Sequence, residues 1–560
     1  MSALVPRQGW VFAASLLAGL LALYFAGFLS IHATRGVQSW QLIFLPVVSL
    51  GVAHQLFRTQ VRPWRRAAVC LGGQLVLLVL ACGLAGRFHD FSWDGMTSRS
   101  LFVREMALGI PPDRAPNPVL GHVLSAFAVQ ATGNWNAGKF VNLVLPVITF
   151  FLVRASLHQM GLRGASWFAA AAALNPVALC QISSFQVDGL VAALLTSLLF
   201  SLAGLLQAGR FQNPDLLTAA LSLLGLALAK TSGILYGGLT VALFLGCFAV
   251  RTKNYRAVWR AAGIAAAFAL VFGWLLRGAL NYPTVQLGYI WEAISPRGQG
   301  YGYTPGGGAS QIEEFASSSK LKQFLASNFS YTEIAPTEIH WKPPFWLIRR
   351  EIRVFEELTP DPRAGGFGPL YGTALLVSWG ALLAGVMTRS LRPEWHKWFF
   401  PLAIVATAFP SQVWWARWVP QLWLLALTPL MMIAEADRPI GKLTRVLAGL
   451  SVLVLAVNLG LIVLYYGLGM VRAQRVLDSQ LALIQKLSQP VSLFVPRFTA
   501  NQSWLQDAGI QVEAVGEKPP VPRMKIVKTT SWVRLDPGWR QKVSDPDFPA
   551  ELARRDLVEE

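Results

Sequence analysis

Arg87-Phe-His-Asp-Phe-Ser-Trp-Asp-Gly-Met-Thr-Ser-Arg99 leaves the end of an apolar run, 67–86, and sets two carboxylates, Asp90 and Asp94, among aromatic side chains. A run of that length and apolarity spans a bilayer, and the stretch after it is where the chain emerges. Ionisable groups are expensive at a membrane boundary and tend to mark substrate sites there. The same carboxylates also suit a plainer role, capping the helix that follows.

Composition supports the bilayer reading. Of 560 residues, 54% are hydrophobic and only 14% charged, whereas a soluble chain carries about a quarter charged residues. A span needs roughly 20 apolar residues. By that length, the runs 10–31, 41–57, 67–86, 140–154, 165–182, 189–206, 216–229, 234–250, 261–280, 369–387, 399–410, 418–434 and 446–466 predict about thirteen spans. The expected fold class is an all-α polytopic membrane protein over 1–469, with a small α/β soluble C-terminal domain over 470–560. The first run has no cleavage site after it and reads as an uncleaved anchor. Two long loops, 87–139 and 281–368, fall on the side where Asp94 emerges. The first contains two short stretches, 100–108 and 119–131, that read as interfacial helices.

The net charge of +19 raises nucleic acid as a partner, but its distribution argues against it. Basic residues cluster between spans, as in Arg58-Thr-Gln-Val-Arg-Pro-Trp-Arg-Arg66, and those clusters all fall on one side. The positive-inside rule makes that side cytoplasmic. Asp94, Asp188, Lys230 and Arg417 then fall together on the other side. That is the periplasmic face of the inner membrane in a Gram-negative bacterium. Cys70, Cys82, Cys180 and Cys247 lie within apolar runs and read as small core hydrophobes. No histidines pair at zinc-ligand spacing, although a divalent cation on Asp90 or Asp94 with loop oxygens stays open. In the tail, 472–487 has helical apolar spacing, 491–495 and 511–515 read as strands, 501–508 as a helix, and the Pro-rich 517–522 as a linker.

The chemistry candidates follow from position. Asp94, between Trp93 and Gly95, suits a general base toward a hydroxyl. Asp188 opens a helix at its outer end, where the dipole favours an anion, and a cap fits it equally well. Lys230 ends a short apolar run, as a snorkelling lysine also would. Arg277 and Arg417 lie near other outer ends, and Arg417 sits among Trp414, Trp415 and Trp418, which also suits an aromatic belt. Guanidinium and ammonium groups around carboxylates at a bilayer surface suit a lipid phosphate.

The order of these features resembles a family. Trp93-Asp94-Gly95 in the first outer loop looks like the acidic motif of C-superfamily (GT-C) integral membrane glycosyltransferases. Arg114-Ala-Pro-Asn-Pro-Val-Leu-Gly-His-Val-Leu124 resembles a stretch of the same loop in protein O-mannosyltransferases and the lipid A aminoarabinose transferase. Asn175-Pro-Val and Ser183-Ser-Phe-Gln-Val-Asp188 are similar to the second acidic position, and Gly225-Leu-Ala-Leu-Ala-Lys-Thr-Ser-Gly233 to a later Gly-Lys segment. Gly365-Gly-Phe-Gly-Pro-Leu370 and Ala416-Arg-Trp resemble segments that open later spans. There are two departures: Ser98-Arg99 stands where many bacterial members carry Tyr-His, and Asp90 is a second acid beside Asp94.

The resemblance implies an inverting transferase that moves a sugar from a polyprenyl-phosphate carrier to an acceptor hydroxyl on a lipid, glycan or protein. Asp94 would be the base. Arg114, Lys230 and Arg417 would bind the phosphate, with Asp90, Asp188 and Arg277 around the substrate. Membrane lipids are the other expected partners. Loop 281–368, with Trp341-Lys-Pro-Pro-Phe-Trp346 and Arg349, Arg350 and Arg353, would form a lid. Two other classes fit the sequence: a transporter or flippase for a lipid-linked saccharide, with the same charges lining a pathway, and a non-catalytic scaffold that presents the tail to a polysaccharide export system.

Overall fold

The computed structural model describes residues 4–34, 36–110, 120–211, 213–256, 318–334, 338–358, 364–391, 394–409, 415–436, 439–496 and 500–543, with isolated positions and short pieces besides. All of the run 261–280 except Gly263, and the expected site residues Arg114 and Arg277, lie outside the described residues.

The chain begins with α1 (Leu4–Thr34), α2 (Phe44–Phe57) and α3 (Pro63–Gly86), packed side by side. Pro63 opens α3 at its first position, where its missing N–H has no helical partner to lose. The emergent loop carries α4 (Ser100–Leu108) and α5 (Leu120–Thr132), both close to the expected bounds. Next come α6 (Phe140–Gln159), α7 (Ala165–Ala173), α8 (Pro176–Cys180), α9 (Asp188–Ala208), α10 (Asn213–Ala229) and α11 (Thr231–Thr252). The run 165–182 is therefore broken. Asn175 accepts a hydrogen bond from the Val177 N–H at 3.0 Å and Pro176 starts a new helix, so the chain turns there. The Asn175 amide also donates to the Pro420 carbonyl at 2.8 Å, which ties this break to a distant segment.

The second half contains α12 (Lys320–Phe329), α13 (Arg349–Glu356), α14 (Tyr371–Met387), α15 (Phe399–Ala408), α16 (Leu427–Ala434) and α17 (Lys442–Ile484). Among the described residues, seven helices are long and apolar enough to cross a membrane: Gln8–Ile31, Ser39–Phe57, Pro63–Gly86, Trp135–Gln159, Asp188–Ala208, Ser232–Thr252 and Lys442–Ile484. Leu120–Thr132, Pro214–Ala229, Tyr371–Met387 and Pro420–Ala434 are shorter apolar helices. α9 is the central element. Its apolar window is 94% buried inside the protein, against 22% for α3, so α3 faces lipid and α9 faces other helices.

The tail holds α18 (Ala500–Asp507) and a five-stranded sheet ordered β2-β1-β4-β3-β5. The strands are β1 (Val491–Phe494), β2 (Val512–Val515), β3 (Arg523–Lys525), β4 (Trp532–Arg534) and β5 (Val558–Glu559). β1 and β2 run parallel around α18, and the other pairings are antiparallel. The Pro-rich 517–522 connects β2 to β3 within this sheet and does not link separate units. α17 is 43 residues long and crosses 469/470 without a break. At 1.5 Å per residue it is about 65 Å long, roughly twice the hydrocarbon thickness of a bilayer. The tail core also takes in Phe91 from the first loop and Phe355 from α13, so tail and membrane part share buried surface.

Candidate active site

Four of the expected residues meet, each carried by a different part of the chain. Arg417 bridges the two carboxylates, with Nη2 2.9 Å from Asp94 Oδ2 and Nε 2.8 Å from Asp188 Oδ2. Lys230 Nζ lies 2.6 Å from Asp188 Oδ1. A fifth member, Arg99, stands out in the sequence only as a departure from a motif; its Nη2 is 3.1 Å from Asp94 Oδ2. The cluster holds three cations and two carboxylates, a net charge of +1.

Local backbone explains each placement. Gly95–Arg99 forms one wide π-helical turn after Asp94, which brings residue 99 back toward the carboxylate. Gly95 is required there, because a methyl group would overlap the Asp90 carboxylate. Asp188 is the first residue of α9. Gln181 Oε1 accepts the Gly189 N–H at 2.8 Å and its amide donates to Asp188 at 3.4 Å. Asn142 holds the preceding loop by donating to the carbonyls of Gln181, Ser184 and Gln186. Lys230 is the extended residue between α10 and α11. Its tight corner depends on Gly233, where a methyl would overlap the Leu226 carbonyl. The Tyr236 hydroxyl donates to the Trp418 carbonyl next to Arg417.

Exposure separates the roles. The Asp94 side chain is 27% exposed and that of Asp188 only 3%. An incoming molecule can therefore touch Asp94, while Asp188 anchors the cations from behind. Burial pushes the Asp94 carboxyl up, but Arg99 and Arg417 more than offset it and hold it below the usual aspartate range. Lys230 stacks 4.0 Å from the Trp418 ring centroid, and Arg417 lies 5.5 Å from that of Trp415.

Asp90 stands apart from this cluster. It is 3% exposed and accepts the N–H groups of Ser92 at 2.7 Å and Phe185 at 2.8 Å. Burial raises its pKa against the pull of nearby Lys139. Asp90 thus pins the first loop to the segment leading into α9. Lys139 is fully buried, and its ammonium donates to the Phe88 carbonyl and to Asn136. The loop is held from the tail as well. The His89 N–H donates to Gln474 at 2.6 Å, its ring lies against Trp504, and Arg104 makes a two-pronged pair with Asp507. Burial drives the His89 pKa down to about 3, so its ring is neutral.

The described part of the second loop reaches the flank of the cluster. Trp415 packs against Ala326 of α12, and Gly366 lies so close to Ala416 that an added methyl would sit 2.6 Å from its Cβ. A buried Lys342–Glu351 pair at 2.6 Å stiffens this loop. Among the described residues, no three His, Cys, Asp or Glu side chains gather as a metal-ligand set.

Helices and cluster together define a multi-pass membrane protein with a charged, tryptophan-lined site at one end of its bundle. A family described as a predicted membrane protein (DUF2142) matches residues 126–350. No curated protein matches the chain. Among solved structures, the crystal structure of ArnT from Cupriavidus metallidurans bound to undecaprenyl phosphate is similar at 13% identity, over 80% of this chain and 86% of that one, with a TM-score of 0.34.

Proposed function

We propose that the protein is a membrane glycosyltransferase that moves a sugar from a polyprenyl-phosphate carrier to an acceptor hydroxyl, at the periplasmic face of a bacterial inner membrane. The observation that carries this reading is the cluster of Asp94, Asp188, Lys230, Arg99 and Arg417, with only Asp94 substantially open. Its order along the chain also follows the motifs of the GT-C resemblance.

The chemistry follows from the charges. A sugar phosphodiester is a monoanion, which complements the net +1 of the cluster. The acceptor O–H gives its proton to Asp94, the oxygen attacks the anomeric carbon from the opposite face, and the bond from that carbon to the phosphate oxygen breaks. The electron pair stays on the phosphate, which gains negative charge, and Lys230 and Arg417 stabilise that charge as it develops. Asp188 keeps both cations in place while they do so. The ion pairs hold Asp94 ionised, so it begins the reaction as a proton acceptor.

The test is transfer of radiolabelled sugar from polyprenyl-phosphate donors in membranes carrying wild type or Asp94→Asn. Loss of transfer by about 10²-fold or more at equal protein level is expected. Full activity in the variant removes Asp94 from the mechanism. A wild type that uses no donor in a broad panel sinks the transferase reading.

A further inference from the structure

At the end of α3 remote from Asp94, a cleft of about 720 Å³ opens between α1, the end of α2, the start of α3 and α6. Three guanidinium groups, Arg62, Arg65 and Arg66, stand at its rim, and its walls include Phe12, Phe57, Val69 and Phe151. No carboxylate lines it among the described residues. Arg66 is steadied by donating to Gln60. The 24 residues of α3 extend about 36 Å, more than the hydrocarbon thickness, so the cleft and the charged cluster lie in opposite leaflets.

We infer that this cleft binds one anionic diacyl phospholipid of the phosphatidylglycerol class. The rim matches the phosphate, since guanidinium groups grip phosphate oxygens in pairs and are weakly hydrated. Basic pockets between helices at a membrane's inner side recognise lipid headgroups in this way. The walls match the chains. A free phosphate would satisfy the arginines and leave the aromatic walls bare, whereas a lipid covers both. The cleft also continues along the lipid-facing strip of α3, where Val69, Val76, Val79 and Leu80 are 71%, 59%, 71% and 65% exposed, giving the acyl chains a track. This site is independent of the proposed transfer reaction.

The experiment is native mass spectrometry of the purified full chain, titrated with phosphatidylglycerol, phosphatidylcholine or inorganic phosphate. Two variants of equal charge change are compared: Arg62→Gln/Arg65→Gln at the cleft, and Lys253→Gln/Arg256→Gln in a separate basic loop. A third variant, Val69→Trp, blocks the apolar mouth and leaves the arginines intact. One tightly held phosphatidylglycerol is expected in wild type, weakened about tenfold or more by the cleft pair and by Val69→Trp, and unchanged by the loop pair. Equal weakening by both charge pairs means unspecific attraction and overturns the assignment. Displacement of the lipid by inorganic phosphate at similar concentration overturns the choice of a lipid. Unchanged affinity in the monodisperse cleft variants overturns the site itself.

Discussion

Asp188→Asn offers the sharpest test of the charged cluster, because the substitution keeps the shape and removes one charge. In the native protein Asp188 faces Lys230 at 2.6 Å and Arg417 Nε at 2.8 Å. Those cations are 16% and 11% exposed, so neither regains much water when its partner disappears. The net charge of the cluster rises from +1 to +2 and three cations share the single carboxylate of Asp94. Removing one partner of a buried pair costs about 3–5 kcal/mol. Arg417 keeps its bond to Asp94, which places the expected loss near the lower end, about 3 kcal/mol. Adding Lys230→Met returns the net charge to +1. The double variant should therefore be more stable than Asp188→Asn alone, with a coupling of about 2 kcal/mol in the double-mutant cycle. The assay is reversible unfolding of the four proteins in mixed micelles, followed by far-ultraviolet circular dichroism. A single-variant loss below about 0.5 kcal/mol, the size of an ordinary surface substitution, or no recovery in the double variant, would refute the claim that Asp188 neutralises buried cations.

Other outcomes follow from the same geometry. Gly95→Ala forces a methyl into the Asp90 carboxylate and should destabilise by about 1–3 kcal/mol, the usual range for overpacking, with a parallel fall in transfer as Asp94 moves. Tyr236→Phe leaves the Trp418 carbonyl without its donor and should lower stability by about 1–3 kcal/mol in the same unfolding assay. The Asp94 carboxyl is held below its ordinary value of 3.8, so its stabilising share is complete above that pH and is lost as pH falls through the lower folded-state value. The stability gap between wild type and Asp94→Asn should then stay constant from pH 7 down to the ordinary aspartate value and narrow only below it. Arg104→Ala breaks a half-exposed pair with Asp507 and should cost less than about 1 kcal/mol, leaving the tail docked by limited proteolysis.

What the sequence reveals here depends on the distance over which each signal acts. Spans announce themselves locally through apolar length, and every described run is helical, whole or broken. Asp94, Asp188, Lys230 and Arg417 were legible as charges at the ends of those runs, because a charge beside a bilayer is already unusual. Their mutual contacts were not, since no periodicity links residues 94, 188, 230 and 417. Arg99 escaped for a different reason. Five residues from Asp94, it lies off the face that helical spacing would select, and only the π turn brings it round. Asp90 reads in the sequence as a second acid beside Asp94, and nothing local announces that the Phe185 N–H, 95 residues away, binds one of its oxygens. The expected boundary at 469/470 falls within one continuous helix. In the structure Gly469 lies inside α17, where a methyl would overlap the Glu356 carbonyl of α13. That glycine serves close packing between helices, a use that composition does not distinguish from termination.

The unbroken α17 gives the molecule a lever. One end of the rod is set in the bilayer, and the other carries the sheet that presses Trp504 and Asp507 against the loop bearing His89, Arg104 and Asp94. Helices adjust their tilt to the thickness of the lipid around them. Over a rod of about 65 Å, a tilt of about 5° sweeps the far end through about 6 Å, more than a hydrogen bond can stretch. Any change in the tilt of this rod would therefore have to be taken up where Trp504 and Asp507 meet that loop.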